Sequence, residues 1–360
     1  MGVVKEKIAV VLPNHLGDVV MATPALRALR RGRPGAEVTL VVRASLLGVM
    51  RGAPWIDRFV AHEIYRSRGK LAQFRERMRV ARELRGTDLA LVLPNSFASA
   101  LLAFASRAPV RVGYARRGRS LLLTDPVPAP RVNGRFVPLA MERYYLELAR
   151  RLGAPDLGTQ IELFAEADAE RECDALFASH GIGGGRPLAC LAPGAGFGPS
   201  KLWPLDYVAE VARALRGDGV DVALVHGPGE GALAAEVATR AGVALAMLGG
   251  DAMSLSLLKS VLARAQLLIC NDAGARHIAA AFEVPTIVLM GPTAVGYTNL
   301  NLERTKLLRE PVECSPCQLK VCPIDHRCMT RLLPARVLAE ARAALSRSDW
   351  QGSVELELAT

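Results

Sequence analysis

The feature that most constrains this chain is a regular alternation of short apolar runs with helix-length amphipathic segments. Apolar runs bounded by turn residues predict buried strands, and strands that alternate with helices predict a parallel α/β sheet. The predicted strands lie at 8–12, 37–42, 57–61, 88–93 and 110–113, and then at 187–192, 221–226, 244–248, 266–270 and 286–290. The predicted helices lie at 19–31, 71–85, 97–106 and 137–152, and then at 205–216, 230–241, 254–264, 275–282 and 335–346.

This pattern occurs in two successive series and predicts two α/β domains of similar size. We place the domains at 1–155 and 166–346, with a linker in the segment 153–160 and a final helix that could pack back on the first domain. The stretch 114–135, which is rich in Pro, Arg and Gly, is predicted to be a long loop. Open α/β sheets bind ligands outside the carboxyl ends of their strands, so the cleft between the domains is the expected site.

Composition excludes several classes of protein. With 360 residues, 51% of them apolar and 22% charged, the chain can bury a large core, which excludes a disordered or fibrous protein. No run of 18 apolar residues lacks charges or breakers, so a membrane-spanning helix is not expected. The apolar run before Pro13 is only five residues long and predicts a first strand rather than a signal peptide, so we expect a cytoplasmic protein.

The net charge of +10 is confined to the first half. Residues 1–180 hold 28 basic and 18 acidic side chains, whereas residues 181–360 hold 17 of each. This asymmetry predicts an anionic partner for the first half: nucleic acid, an anionic lipid surface or a phosphorylated acceptor.

Two groups of arginines carry this excess. The segment 66–85 is predicted to be an amphipathic helix with a basic face, which is either a solvated surface or a contact for lipid headgroups or acceptor phosphates. Its apolar positions are Leu71, Phe74, Met78, Ala81 and Leu84. A second group, beside the expected cleft, has guanidinium forks that suit carboxylates and phosphates. It contains Arg107, Arg111, Arg116, Arg117 and Arg119.

Asp18 follows the first predicted strand, where a helix begins. One interpretation is a helix cap, which satisfies free backbone N–H groups. The other is a general base at the edge of the cleft. No G-x-G-x-x-G sequence is present at this turn, so the dinucleotide fingerprint is missing.

Two turns in the second half have the composition of anion sites. The segment 191–204, LAPGAGFGPSKLWP, carries three glycines whose backbone N–H groups could approach a phosphate, and Lys201 would add a charge. The alternative is an ordinary turn between a strand and a helix. In the segment 270–293, Asp272 could cap the helix that starts near Gly274, and the neighbouring N–H groups could hold a diphosphate. His277 faces either the cleft or the core.

Seven cysteines are present, and Cys173, Cys190 and Cys270 lie in apolar or helical contexts that predict buried thiols. The other four have ligand chemistry suited to zinc or iron, but they lack the paired C-x2-C spacing of a typical zinc site. Reduced or locally paired thiols are the alternative, so whether a metal binds is unknown, and we interpret the segment as a structural loop. These four are Cys314, Cys317, Cys322 and Cys328, with His326 nearby.

Taken together, the turn at 17–18 and the motifs PGAGFGPSKLWP and NDAGARHIAAAFEVPTIVLMGPT resemble the ADP-heptose:lipopolysaccharide heptosyltransferases over about 8–345. The ending CSPCQLKVCPIDHRCM is similar to that of their heptosyltransferase II branch. The resemblance implies a GT-B architecture, with two Rossmann-like domains facing each other across a cleft. It implies that the first domain binds the acceptor and the second binds ADP-heptose, in an inverting reaction that needs no metal and no cofactor.

The resemblance also implies roles for individual residues. Asp18 matches the proposed catalytic base, and Lys201 matches the lysine that contacts the sugar-nucleotide phosphate. Ala273 departs from the family, which often has Ser or Thr there, so a hydroxyl contact to the phosphate would be either missing or replaced by backbone N–H groups. The further donor contacts implied are Gly194, Gly196, Glu230, Met253, Asp272, Gly274 and His277.

These roles agree with the chemistry of the residues. A carboxylate can take the proton of an attacking hydroxyl, and fixed dipoles with Lys201 can stabilise the leaving ADP. The implied function is transfer of the second heptose of the lipopolysaccharide inner core, at the inner face of the inner membrane. The alternatives are a related glycosyltransferase with another glycan or a protein as acceptor, and a non-catalytic nucleotide- or nucleic-acid-binding protein. An aromatic content of 5% argues against nucleic acid.

Overall fold

The computed structural model describes residues 5–64, 69–136 and 138–353. It divides into two compact units, Met1–Glu162 and Leu163–Thr360. The division follows directly after the segment 153–160 that the sequence indicated as a linker.

The first unit is built on a parallel sheet of six strands, in the order β3-β2-β1-β4-β5-β6. The strands are β1 (Lys7–Val11), β2 (Glu37–Arg43), β3 (Arg58–His62), β4 (Leu89–Val92), β5 (Val110–Tyr114) and β6 (Asp125–Val127), followed by a small antiparallel pair, β7 (Arg131–Val132) and β8 (Arg135–Phe136). The helices are α1 (Leu16–Met21), α2 (Thr23–Gly32), α3 (Leu47–Met50), α4 (Lys70–Glu83), α5 (Phe97–Ala105) and α6 (Met141–Arg150).

The second unit repeats this architecture, with a six-stranded parallel sheet in the order β11-β10-β9-β12-β13-β14. The strands are β9 (Leu188–Ala192), β10 (Asp221–His226), β11 (Ala246–Gly249), β12 (Leu267–Asn271), β13 (Thr286–Leu289) and β14 (Thr305–Leu308). The helices are α7 (Ala167–Ser179), α8 (Leu205–Gly217), α9 (Gly231–Ala241), α10 (Leu255–Ala263), α11 (Gly274–Ala281), α12 (Arg327–Thr330) and α13 (Pro334–Ser346).

Every predicted strand is present, within two residues at each end. The central strands were predictable because parallel strands covered on both faces are almost continuously apolar, and β4, β9, β12 and β13 are buried along their whole length. The predicted loop at 114–135 was wrong, since it contains β6 and β7. The sequence also missed β14, α3, α7 and α12, and it read α1 and α2 as a single helix.

The core of the second unit lies between its sheet and the helices that cover it. Buried side chains from β9, β10, β12 and β13 pack with those of α8 and α9 and with Trp203. The final helix α13 adds Val337, Leu338, Ala341 and Ala344 to this core. Among the described residues, no helix has the length and apolar character needed to cross a membrane.

The strand order decides where each unit can bind a ligand. In both sheets the first three strands run in order from the middle of the sheet to one edge, and the next three run from the middle to the other edge. The reversal leaves a crevice at the carboxyl ends of β1 and β4 in the first unit, and of β9 and β12 in the second. Asp18 follows β1, whereas Lys201 and Asp272 follow β9 and β12.

Candidate active site

Lys201 and Asp272 meet at the switch point of the second sheet. After β9 the chain passes through the glycine-rich loop into a 3-10 turn, Pro199–Lys201. The Lys201 ammonium donates to the backbone carbonyl of Asp272 (2.8 Å) and to its Oδ2 (2.6 Å). Because β9 and β12 are adjacent, their carboxyl ends bring the two predicted residues together, although 71 positions separate them in sequence.

The Asp272 carboxylate is the centre of a buried polar cluster. Arg276 donates to its Oδ1 (3.0 Å), and the Thr293 hydroxyl donates to its Oδ2 (2.7 Å). Burial alone would raise the pKa of Asp272, but the charges of Arg276 and Lys201 outweigh it and hold that pKa well below its usual range. The prediction that Asp272 caps the following helix is wrong, because the N-cap position of α11 is Ala273 and the carboxylate accepts these side-chain donors instead.

Arg276, Thr293 and Asn271 take part in this site, but the sequence did not single them out. The amide of Asn271 donates to the Pro193 carbonyl (2.6 Å), and its Oδ1 accepts from the Trp203 N–H (3.3 Å). Asn271 therefore fastens both ends of the glycine-rich loop to the end of β12. The spacing of Asp272 and Arg276, four residues apart at a helix start, was the signal that could have revealed Arg276.

Gly194 and Glu230 also lie together. A Cβ atom at Gly194 would overlap the carboxylate of Glu230 in its present position, so the two residues are in close contact and a larger residue would displace this carboxylate. The Glu230 Oε2 accepts from the Gly227 N–H (2.9 Å), which fixes the carboxylate beside the end of β10. Met253 follows β11, the next strand outward, and is half-buried.

The other predicted donor residues lie in the same loops. Gly196 is exposed in the loop after β9, and Gly274 begins α11, where free backbone N–H groups favour an anion. His277 is buried within α11. Burial lowers its pKa to about 3, so the imidazole is neutral at physiological pH. Two cations around one carboxylate leave a net positive charge beside a helix start, an arrangement that can hold a phosphate and stabilise a leaving diphosphate.

Asp18 lies at the other switch point, in the first turn of α1. The N-cap position of this helix is His15, and no side-chain cap hydrogen bond is found there, so the cap interpretation has no support in this part of the chain. The Tyr145 hydroxyl of α6 donates to the Asp18 Oδ1 (3.4 Å). Burial raises the pKa of Asp18, against the opposing effects of His15 and Tyr145. A carboxyl whose pKa is raised in this way is suited to accept a proton.

The predicted arginine group beside the first sheet does not act as a unit. Arg119 is completely buried and donates to the carbonyls of Tyr114 (2.8 Å) and Pro94. Arg111 donates to the carbonyls of Leu122 (2.8 Å) and Ala108 (2.5 Å). These two side chains hold loops together, which corrects their interpretation as acceptor contacts; Arg107 and Arg117 are exposed, and Arg116 is half-buried.

The basic helix differs from its prediction in one respect. Ala81 and Leu84 face the core, as expected, together with Val80, but Leu71 and Phe74 are 61% and 49% exposed. The buried residues of α4 thus lie near its C-terminal end. Arg66 and Arg68, which the predicted helix included, lie outside the described residues.

All seven cysteines are free thiols, and Cys173, Cys190 and Cys270 are buried, as predicted. Of the clustered four, Cys328 is buried, whereas Cys314, Cys317 and Cys322 are half-buried. Within the described ranges, no group of three or more His, Cys, Asp or Glu side chains is arranged to hold a metal ion. The segment is irregular as far as His326 and then forms α12, so the predicted loop holds for Cys314, Cys317 and Cys322, whereas Cys328 lies on a short helix.

The protein has two α/β units with the same strand order, and a buried lysine–aspartate pair lies at the switch point of the second. This is the GT-B fold of glycosyltransferases of known structure. The model of "Glycosyltransferase family 9 (heptosyltransferase)" matches residues 77–327. The chain belongs to this family, which confirms the resemblance and the fold class inferred from the sequence.

Individual proteins of known name or structure are similar to this chain over almost its whole length. Lipopolysaccharide heptosyltransferase 2 of Salmonella typhimurium is 28% identical over 357 residues, which cover 94% of this chain and 99% of that protein. The crystal structure of a family 9 glycosyltransferase from Veillonella parvula superposes with a TM-score of 0.82 at 22% identity, covering 96% of this chain and 98% of that one. The ADP-heptose lipopolysaccharide heptosyltransferase II of Escherichia coli superposes with a TM-score of 0.74 at 26% identity, covering 94% and 98%.

Proposed function

We propose that the protein moves heptose from ADP-L-glycero-D-manno-heptose to the inner core of lipopolysaccharide, with inversion, as the second heptose of that core. The names of the full-length relatives support the donor and the acceptor. The observation that carries the proposal is the buried Lys201–Asp272 pair at the switch point of the second sheet, where a sugar nucleotide binds in open α/β folds.

In this proposal the second unit holds ADP-heptose. Lys201 and the N–H groups at the start of α11 contact the diphosphate, and Glu230 accepts hydrogen bonds from nucleoside hydroxyls. Gly194 and Gly196 let the backbone approach the donor closely, Met253 packs near the adenine, and His277 supports α11 from within.

The first unit supplies the base. Asp18 takes the proton of the acceptor hydroxyl as that oxygen attacks the anomeric carbon, while the bond to the ADP oxygen breaks. Negative charge grows on the leaving diphosphate, where Lys201 offsets it. We propose that this charge stabilisation makes a metal ion unnecessary, so the rate should be unchanged in excess EDTA. Loss of activity in EDTA that added Mg²⁺ restores would contradict this part of the proposal.

We further propose that α4 holds the enzyme at the anionic inner face of the inner membrane, where the acceptor is made. Its exposed Leu71 and Phe74 lie on a helix with five basic residues, Lys70, Arg75, Arg77, Arg79 and Arg82, and Arg85 follows directly after the helix. Apolar side chains interleaved with basic ones are the composition of an interfacial helix. The protein is then cytoplasmic and peripheral.

Vesicle sedimentation tests this contact. Wild-type protein should sediment with vesicles that contain anionic phosphatidylglycerol, and less so as salt rises, because the attraction between charges is screened. L71S/F74S should lose most of this binding, whereas L333S, which changes an exposed leucine of the second unit, should keep it. Equal binding of the two variants, or binding that ignores lipid charge, would contradict the membrane proposal.

The acceptor is tested by release of ADP from ADP-heptose. Release should require an inner-core acceptor that already carries one heptose, and an acceptor without heptose should be a poor substrate. Release that depends instead on a protein or on another glycan would favour the alternative glycosyltransferase. Binding of ADP without release to any acceptor would favour a non-catalytic protein.

A further inference from the structure

The turn that carries Lys201 rests on the cysteine-rich segment. The Ser200 N–H donates to the Lys320 carbonyl (3.0 Å), and the Ser200 hydroxyl donates to the Leu319 carbonyl (2.6 Å). The imidazole Nε2 of His326 lies 2.6 Å from the Ser200 carbonyl. Because a carbonyl only accepts, Nε2 carries the proton of this hydrogen bond. These three hydrogen bonds join Ser200, the residue directly before Lys201, to a single segment of the chain.

The cysteine-rich segment lies so close to the turn before Lys201 that it restricts which residue fits at position 198. A Cβ atom at Gly198 would lie 2.6 Å from the Lys320 carbonyl oxygen. Gly198 also has a φ of +155°, a backbone conformation that favours glycine. Beyond Lys201, the Trp203 indole N–H donates to the Leu332 carbonyl (2.8 Å). The turn is thus held from both sides by residues 319–332.

The same segment contacts the other end of the buried polar cluster. The Ser315 hydroxyl donates to the Gly291 carbonyl (2.6 Å), and the Gln318 N–H donates to the Pro292 carbonyl (2.8 Å). A Cβ atom at Gly291 would lie 2.8 Å from the Cys328 sulfur. These residues come directly before Thr293, whose hydroxyl bonds to Asp272. The segment therefore holds the backbone directly before both Lys201 and Thr293.

We propose that the segment 314–332 positions the donor-binding cluster, and that His326 is the positioning residue for Lys201. His326 itself adopts a left-handed backbone conformation with a φ of +59°, which is uncommon for a residue other than glycine and must be held by its surroundings. Its imidazole fixes the carbonyl that precedes Lys201, so the ammonium is held ready for a phosphate before the donor arrives. This inference rests on the proposed role of Lys201 in binding the donor.

Calorimetry with ADP tests the inference. H326A should weaken ADP binding about three- to tenfold, the worth of one net hydrogen bond that orders a charged group. H326Q keeps an N–H donor and should recover most of the affinity. R342A is the control, because Arg342 lies outside the segment and pairs with Asp218 (2.8 Å) on the exposed side of α13, so this variant should bind ADP as the wild type does.

A double-mutant cycle separates positioning from general destabilisation. If His326 acts through Lys201, H326A should have no further effect on ADP affinity once K201A is present. The inference is overturned if H326A weakens ADP binding by the same factor with and without Lys201, or if H326A binds like the wild type. If K201A itself leaves ADP affinity unchanged, the donor role of Lys201 fails and the inference fails with it.

Discussion

Replacing Asp18 by Asn separates catalysis from stability, because the structure gives the two roles different consequences. Asn keeps the shape of the side chain and can still accept from Tyr145, but it cannot take a proton. A positioned base contributes about 10²- to 10⁴-fold to a rate, so D18N should lower turnover by about 10²-fold or more. ADP affinity should not change, because the predicted donor residues all belong to the second unit.

D18N should raise the thermal stability of the protein or leave it unchanged, although it lowers the turnover. Burial raises the pKa of Asp18, so the folded protein binds this proton more tightly than the unfolded chain does. Folding free energy from this group is therefore lost as the pH rises from the ordinary aspartate value through the raised one. At pH 7 the buried charge is unfavourable, and D18N removes it. A helix cap would behave differently, since its removal costs about 0.5–2 kcal/mol.

The assays are initial rates of ADP release and thermal unfolding across pH. In the wild type, the rate should fall on the acid side at a pH above the ordinary aspartate pKa, since the base must be charged to act. D18N should show little activity at any pH, with a melting temperature at pH 7 equal to or above that of the wild type. Near-normal turnover combined with a lower melting temperature would refute the reasoning and restore the cap interpretation.

Two further variants examine Lys201 and the tyrosine that contacts Asp18. K201A should weaken ADP binding by about 1–3 kcal/mol, the scale of a hydrogen bond to a charged group. The control is K306A, which removes another ion-paired lysine, from the edge strand β14, and it should not weaken ADP binding. Equal losses of ADP affinity in the two variants would mean general destabilisation. Y145F removes a donor that lowers the pKa of Asp18, so the acid limb of the rate profile should move to higher pH. Y144F, the neighbouring tyrosine, should leave that limb in place, and an identical shift in both variants would exclude a specific contact.

Local patterns in the sequence predicted ten of the strands, because parallel strands buried on both faces are short, almost continuously apolar runs. Edge strands are different. β6, Asp125–Val127, is three residues long with a proline at its centre, and β14, Thr305–Leu308, is half polar. Both lie at the outer edge of a sheet, where a strand has only one neighbouring strand.

The candidate site was predictable to the extent that it follows strand ends. Lys201 and Asp272 were found because each follows a buried strand with turn residues, and adjacency of β9 and β12 explains their contact. Contacts between distant segments left no local signal. Nothing near Asp18 indicates Tyr145, which lies 127 residues away, and nothing near Lys201 indicates His326.

Helical periodicity likewise identifies a face but not what covers it. Leu71 and Phe74 follow the same spacing as Ala81 and Leu84, yet only the later pair meets the core. The reverse holds for Arg119, whose charge suggested a solvent-facing contact although the side chain is buried against backbone carbonyls. A charged side chain can be buried only where other loops supply hydrogen-bond acceptors, and the amino-acid composition does not show where those acceptors lie.

Mass spectrometry of the lipopolysaccharide product tests the central claim most directly. The enzyme would be incubated with ADP-heptose and inner-core acceptors that carry no heptose, one heptose or two. The proposed transfer of a second heptose predicts a mass increase of one heptose on the one-heptose acceptor with the wild-type enzyme, and almost none with D18N. A mass increase on the heptose-free acceptor instead, or no increase on any acceptor while ADP still binds, would contradict it.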